Sequence, residues 1–337
     1  MVDKSTSHSV TADDVAELAG VSRWTVNRAF KTNASISASA RTRVMAAAKE
    51  LGYAPDLLAS SLASDRSNLV ALLVDDFANP HKLVMLETLT NVLRQNGWDT
   101  LLVNTLNSED ASSALLTASQ RRVDAAVLIG VQFDDKILQT ALVAKRIRKL
   151  ILFARYSDNA NTISICCDDQ KAMETIGAYV LKQGYQKPLF VAGPQHTSAH
   201  VLRWETFQAQ WRQSKGNNPE HLVVGSYDPQ QAYDRVVHHL KSLPRADFPD
   251  VLVCENDALA MGASDAVRYE FGLRIPDDVA ITGFDDTPYA ANPNYDLTTY
   301  AQPIKALANG LIEVLSGEPN LARYSAFQGK IVARTSA

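Results

Sequence analysis

The stretch "DVAELAGVSRWTVNRAF" (residues 14–30) decides how the N-terminal part of the chain folds. It holds two short helical patterns joined at one glycine, with arginines in the second half only. Thr11 can cap the first helix by accepting a free backbone N–H. Asp14 places negative charge in the first turn, where the helix dipole favours it. Val15, Leu18 and Ala19 share one face, and Gly20 stops the helix with a positive φ. Ser22 is placed to cap the next helix, whose inner face is Val26, Ala29 and Phe30 at i, i+3, i+4 spacing. Its other side carries Arg23, Trp24, Thr25, Asn27 and Arg28. Two helices about a short glycine-containing turn make a helix-turn-helix, whose second helix enters the major groove of DNA with its N-terminal part. Spacing alone also suits an ordinary helical hairpin with a solvated basic face.

Outward from this stretch, "NASISASART" (33–42) leads to a third helix capped by Ser37 or Ser39. Val44, Ala47, Ala48 and Leu51 form its core stripe and Gly52 stops it. Charge then favours the DNA reading. The chain carries a net −4, yet Val21 to Lys49 holds Arg23, Arg28, Lys31, Arg41, Arg43 and Lys49 and no acid. Residues 1–66 carry 8 basic and 7 acidic groups, against 25 and 30 in the remaining 271. An acidic body with a local basic patch suits a protein whose small segment meets phosphate.

"APDLLASSLASDRS" (54–67) reads first as a linker, although Leu57, Leu58, Ala59 and Leu62 allow one or two helical turns. From Leu69 the pattern changes. "LVALLVDD", "DTLLVN", "AAVLIG" and "LILFA" read as buried strands with helices between them, such as those starting near Pro80 and Glu109. A second set, "PLFVAG", "HLVVG", "DVLVCEN" and "DVAITGF", follows Asp168. This is βαβ alternation on parallel sheets, in two lobes. Ligands of such sheets bind beyond the carboxyl ends of the strands. That rule selects Asp75, Asp76, Phe77, Arg155, the "GPQHTSAH" loop, Glu255, Asn256, Asp257, Phe284, Asp285 and Asp286.

The composition excludes other classes. Hydrophobic residues make up 46% of the 337, as in a soluble α/β protein. No apolar run reaches the ~18–20 residues of a membrane span, and "MVDKSTSHSVTADD" has no signal-peptide core, so a cytoplasmic location is expected. Cys166, Cys167 and Cys254 lack zinc-ligand spacing and read as buried thiols. The chain has no P-loop, dinucleotide fingerprint, metal-ligand pair or nucleophile elbow. No enzyme activity, cofactor or metal is expected, although Asp76 and Asp285 could in principle do acid–base work.

The runs "VTADDVAELAGVSRWTVNRAF" and "ARTRVMAAAKELGYAPDLLASSLA" resemble the DNA-binding head of the lactose/galactose-repressor (LacI/GalR) family. "FANP", "RRVDAAVLIG", "LFVAGP", "CENDALAMGASDAV", "IPDDVAITGFDDTP" and "LTTYAQP" extend the resemblance over essentially the whole chain. The implied fold is α/β: an N-terminal all-α helix-turn-helix headpiece (1–55), a hinge (56–67), and a two-lobed periplasmic-binding-protein-like core of parallel open sheets (68–337). Its first lobe would take about 68–166 and 302–322, its second about 167–301 and 323–337. The implied function is a dimeric, ligand-responsive transcriptional regulator on a palindromic operator, most simply a repressor of sugar-metabolism genes. A solute-binding transport protein shares the two-lobed fold, but the DNA-binding head and the missing signal peptide argue against it.

The resemblance also assigns residues. Arg23, Trp24, Asn27 and Arg28 would face bases, with arginine suited to guanine and asparagine to adenine. Trp24 either packs on a thymine methyl or covers the helix turn. Ser22, Thr25, Lys31 and Tyr53 would face phosphates, which set register and carry no sequence information. Ala59 and Leu62 would enter the minor groove at the hinge, Leu62 as a wedge between base steps. Asn27 replaces a usual serine, Asp56 a usual asparagine and Ser60 a frequent arginine. The effector, a sugar or sugar derivative, would meet Phe77, Arg155, His196, Arg203, Tyr227, Asn256 and Asp285. Arg203 could instead be a structural ion pair, Asn256 a helix N-cap and Asp285 a turn cap. The helix over residues 80–96 is expected in the dimer interface.

Overall fold

The computed structural model describes residues 10–30, 34–55, 66–105, 108–130, 147–194, 202–317 and 324–337. Lys31, Ala59, Leu62 and His196 lie outside these residues. The chain divides into two compact units, Met1–Ser67 and Asn68–Ala337.

In the first unit, α1 (Ala12–Ala19), α2 (Arg23–Ala29) and α3 (Ala38–Leu51) form a three-helix cluster. Thr11 and Asp14 close a full capping box: Asp14 N–H donates to Thr11 Oγ1, and Thr11 N–H donates to Asp14 Oδ2 at 2.7 Å. Asp14 therefore satisfies an orphan backbone donor as well as supplying charge. Gly20 ends α1 at φ 60, where a side chain would be strained. Ser22 caps α2 and Ser37 caps α3. One valine from each helix (Val15, Val26, Val44) is fully buried, among Ala16, Ala19, Ala29, Ala47 and Ala48. Small residues at these positions let three short helices approach closely.

In the second unit, a six-stranded parallel sheet has the order β11-β5-β4-β3-β1-β2. Its strands are β1 (Leu69–Val74), β2 (Asp99–Asn104), β3 (Ala125–Ile129), β4 (Lys149–Phe153), β5 (Ile163–Cys167) and β11 (Tyr324–Phe327). Helices α4 (His81–Gln95) and α10 (Ile304–Ser316) cover one face, and α5 (Ser108–Gln120) packs on the other. A four-stranded parallel sheet has the order β7-β6-β8-β9, from β6 (Pro188–Ala192), β7 (Glu220–Val223), β8 (Val251–Cys254) and β9 (Ala280–Thr282). It lies between α6 (Asp169–Gln183) with α7 (Arg203–Lys215) and α8 (Pro229–Lys241) with α9 (Asp257–Asp265). β10 (Thr299–Ala301) pairs antiparallel with β12 (Lys330–Val332).

The lobe boundaries differ from expectation at the C-terminus. Tyr324–Phe327, assigned above to the second lobe, form an edge strand of the first sheet, in parallel register with Ser164–Cys167. The chain crosses back only after Phe327. β5 itself had no separate signal in the sequence reading. Cys166, Cys167 and Cys254 are free and buried, and burial pushes the Cys166 thiol up to about 12.

Candidate functional site

The N-terminal unit presents a reading face. Val26 and Ala29 turn α2 into its core, leaving Arg23, Trp24 and Asn27 exposed on the opposite side. Trp24 is 63% exposed. The Arg28 guanidinium lies 4.4 Å from the Trp24 ring centroid, so Trp24 covers Arg28. Arg23 Nη1 pairs with Asp13 Oδ2 at 3.0 Å on the open surface, where such a pair contributes little. Ser22 and Thr25 hydroxyls bond to each other at 3.0 Å. Tyr53 packs edge-on against Phe30, centroids 5.8 Å apart, which fixes its ring at the base of the cluster. Arg41, one of the six basic residues, donates to Ala29 O and Ala34 O. It holds the end of α2, a role its place in the basic window did not signal.

The second unit carries a buried polar site between its two sheets. Both sheets reverse strand order at one point, between β1 and β3 and between β6 and β8, which is where ligands of doubly wound sheets bind. A carboxylate bridges each point. Asp75 follows β1 and lies against Gly130, where an added Cβ would sit 1.9 Å from Asp75 Oδ1. Glu255 follows β8 and accepts from Gly193 N–H at 2.7 Å.

A cavity of about 30 Å³ lies between these ends, lined by Asn79, His81, Lys82, Arg155, Arg203, Tyr227, Asn256, Asp285 and Gln302, with Met85, Ile129 and Phe153. Lys82 is buried at the start of α4, with Nζ 3.4 Å from Asp75 Oδ1 and donating to Ile129 O at 2.9 Å. Burial lowers its pKa, against the pull of Asp75. Arg203 Nε donates to Asp169 at 3.0 Å, Nη1 donates to Glu255 O at 2.8 Å, and the guanidinium stacks 3.6 Å from the Phe284 centroid. Burial pushes Asp169 up to about 6, opposed by Arg203. Arg155 Nη2 donates to Tyr227 Oη at 3.3 Å, and Tyr227 O–H donates to Glu255 Oε1 at 2.5 Å. Asp285 accepts from Gln302 Nε2 at 2.6 Å and lies 3.8 Å from His81 Nε2. Burial lowers the His81 pKa, and neither ring nitrogen has a hydrogen-bond partner among the described residues. Behind this layer Asp257 accepts from Thr299 Oγ1 at 2.6 Å and Thr287 N–H at 2.7 Å. Burial, then Asp285, raises it to about 8.

Four non-glycine residues near these strand ends hold positive φ: Asp76 (50°), Ala154 (60°), Asp285 (120°) and Asp286 (53°). Such conformations cost free energy and concentrate at functional sites. The cavity thus gathers Arg155, Arg203, Tyr227, Asn256 and Asp285 from the sequence-derived set. Phe77 is exposed and is not among the residues lining this cavity; the chain takes a left-handed conformation at Asp76 just before it. Asn256 caps α9, accepting from Leu259 N–H at 3.0 Å. Arg203 forms the structural ion pair that was its alternative role. Tyr227 packs its ring on Gly193, which limits ring-face stacking. Sequence reasoning missed His81, Lys82 and Gln302. Only the position of α4 after the β1 strand end could have signalled the first two.

The family described as bacterial regulatory proteins of the lacI family matches residues 11–56. The family of periplasmic binding proteins and the sugar-binding domain of the LacI family matches residues 67–292. The chain belongs to the LacI family. This LacI-family regulator is 30% identical over 280 residues to the sucrose operon repressor of Escherichia coli, covering 81% of the chain and 83% of that relative. It is 27% identical over 307 residues to the HTH-type transcriptional repressor PurR of Proteus mirabilis, covering 90% and 89%. The Lac repressor bound to ONPG in the repressed state shares the fold at TM-score 0.82 and 22% identity, covering 98% of this chain and all of that one. As in its relatives, a DNA-binding head is joined to an effector core. No helix among the described residues is long and apolar enough to cross a membrane, and no cluster there could hold a metal ion.

Proposed function

We propose that this LacI-family regulator works in the cytoplasm as a homodimeric repressor, controlled by a small molecule in the cavity between its sheets, and acts by binding rather than catalysis. The exposed reading face of α2 carries this proposal. Arg23, Trp24, Asn27 and Arg28 face operator bases; Ser22, Thr25, Lys31 and Tyr53 hold phosphates; Ala59 and Leu62 enter the minor groove. Two copies on a two-fold-symmetric operator satisfy the half-site geometry of helix-turn-helix dimers. The relatives named as operon repressors, including that for sucrose, support the repressor reading and a sugar or sugar derivative as effector.

Arg155, Arg203, Tyr227, Asn256, Asp285 and His196 form the effector site in this proposal. A 30 Å³ cavity holds a water or two, whereas small-molecule sites occupy roughly 300–1,000 Å³. The lobes therefore open to admit the effector, and the effector acts by binding the open and closed states unequally.

The test is selection of duplexes from a random pool by the full-length protein, followed by footprinting. The expected result is a two-fold-symmetric footprint with affinity falling steeply as salt rises. Failure to enrich any duplex, or binding without symmetry, refutes the proposal.

A further inference from the structure

The two arginines of the α2 reading face are held differently. Arg23 pairs with Asp13. Arg28 makes no hydrogen bond or ion pair among the described residues; its guanidinium carbon sits over the face of the Trp24 ring, one turn earlier on the helix. Its Nε is enclosed there without a hydrogen-bond partner. Nη1 and Nη2 are not enclosed in this way, so the fork they form is the part of Arg28 left to meet a base. Two N–H groups in such a fork match O6 and N7 of guanine. Trp24 is exposed and stands in the first turn of α2, the part of a recognition helix that enters the major groove. An indole donates one hydrogen bond and otherwise offers apolar surface. The apolar feature of the major groove is the C5-methyl group of thymine.

The spacing of the pair decides how these two contacts combine. Successive base pairs lie about 3.4 Å apart along each strand. A planar guanidinium forked onto guanine lies in the plane of that base pair. A ring held 4.4 Å from the guanidinium carbon then stands beside the next pair, not the same one. Resting on the reading of α2 as the helix that faces operator bases, we propose that Trp24 and Arg28 act as one unit that reads a two-pair step. The Arg28 fork takes a guanine, and the Trp24 ring packs on the C5-methyl of a pyrimidine in the neighbouring pair. The cation–π attraction between the two holds Arg28 in place for its guanine, so each contact depends on the other. Thymine and 5-methylcytosine carry the methyl group; uracil and cytosine do not.

Competition titrations of the full-length protein test this on the duplex it selects from a random pool, with changes at the pairs flanking each selected guanine. Replacing the neighbouring thymine by uracil removes one methyl and keeps every hydrogen-bonding group. It should weaken binding roughly 4-fold per half-site, and about 15-fold with both half-sites changed. Where that thymine is replaced by cytosine, 5-methylcytosine should regain a similar factor over cytosine. Trp24→Ala should abolish the difference between thymine and uracil and also relax the preference for guanine, whereas Trp24→Phe should keep part of both. Each variant's melting point reports whether it is folded. Three results overturn the two-pair unit: a selected site with no thymine in the pair beside a guanine, equal affinity for thymine and uracil duplexes, or an undiminished difference in a folded Trp24→Ala protein. In each of these a two-fold-symmetric site still leaves α2 as the helix that faces bases. If no duplex is enriched, both readings fall.

Discussion

Replacing Lys82 by methionine tests whether the buried charge pair at the first sheet's switch point is a unit. Lys82 and Asp75 side chains are 5% and 1% exposed, and the ammonium also donates to Ile129 O. Methionine matches the volume but removes the charge, leaving the Asp75 carboxylate against Gly130 without its cation. Removing one partner of a buried pair costs about 3–5 kcal/mol. For a unit of this size that lowers the melting temperature by roughly 10 °C. Asp75→Asn in the same chain removes the orphaned charge while keeping the shape against Gly130, so the double variant should recover about half of the loss or more. Urea unfolding of wild type, both singles and the double gives the coupling energy, expected at about 1–3 kcal/mol. A Lys82→Met protein within 0.5 kcal/mol of wild type, or a double variant no better than the single, would refute the pairing argument.

Other outcomes follow from the same structure. Arg23→Ala should relax base preference at one position per operator half-site at a cost of about 1–3 kcal/mol, measured by competition between single-base operator variants; an equal loss on every sequence would make Arg23 a phosphate contact. Thr11→Ala removes the capping-box acceptor for Asp14 N–H and should destabilise the N-terminal unit by about 1 kcal/mol, read from amide exchange in α1. Asp257 has its pKa raised in the folded state to about 8 from 3.8. The folded form therefore holds a proton that the unfolded form has lost between these values. Stability from this group is present below pH 4 and is lost as pH rises toward 8, with a slope of at most about 1.4 kcal/mol per pH unit. Asp257→Asn should flatten the denaturation midpoint against pH between 5 and 8, and an unchanged slope would assign it to other groups.

The N-terminal helices were legible because everything that specifies them is local. Caps, stops and apolar spacing for α1, α2 and α3 all lie within a few residues of one another. Most strands of the two sheets were legible as continuous apolar runs, as buried parallel strands are, but β2 and β7, read as buried, lie at sheet edges and are largely exposed or half-buried. β5 and the β10, β11 and β12 pieces were not legible. They span three to five residues each, and β11 alternates exposed and half-buried residues at an edge. Its partner lies about 160 residues earlier in the chain. The site shows the same division. Strand-end geometry finds Arg155, Asn256 and Asp285, whose positions follow from one strand each. Lys82 reads as a surface residue of an amphipathic helix until Asp75 and Ile129 O, on two other strands, close around it. Arg41 reads only as one more charge of the basic window until the carbonyls it holds are seen.

The covering of Arg28 by Trp24 gives the molecule a built-in optical reporter. The chain has four tryptophans, and only Trp24 stands in the N-terminal unit. Trp211 is buried in the core, and Trp98 and Trp204 are partly buried. Acrylamide quenching of intrinsic emission therefore falls mainly on Trp24, so protection from the quencher on mixing with a duplex follows occupancy of the reading face. Trp204, stacked at 3.9 Å on His221 and adjacent to Arg203, emits from the effector core. Emission from the two environments lets one unlabelled sample follow operator and effector in the same cuvette.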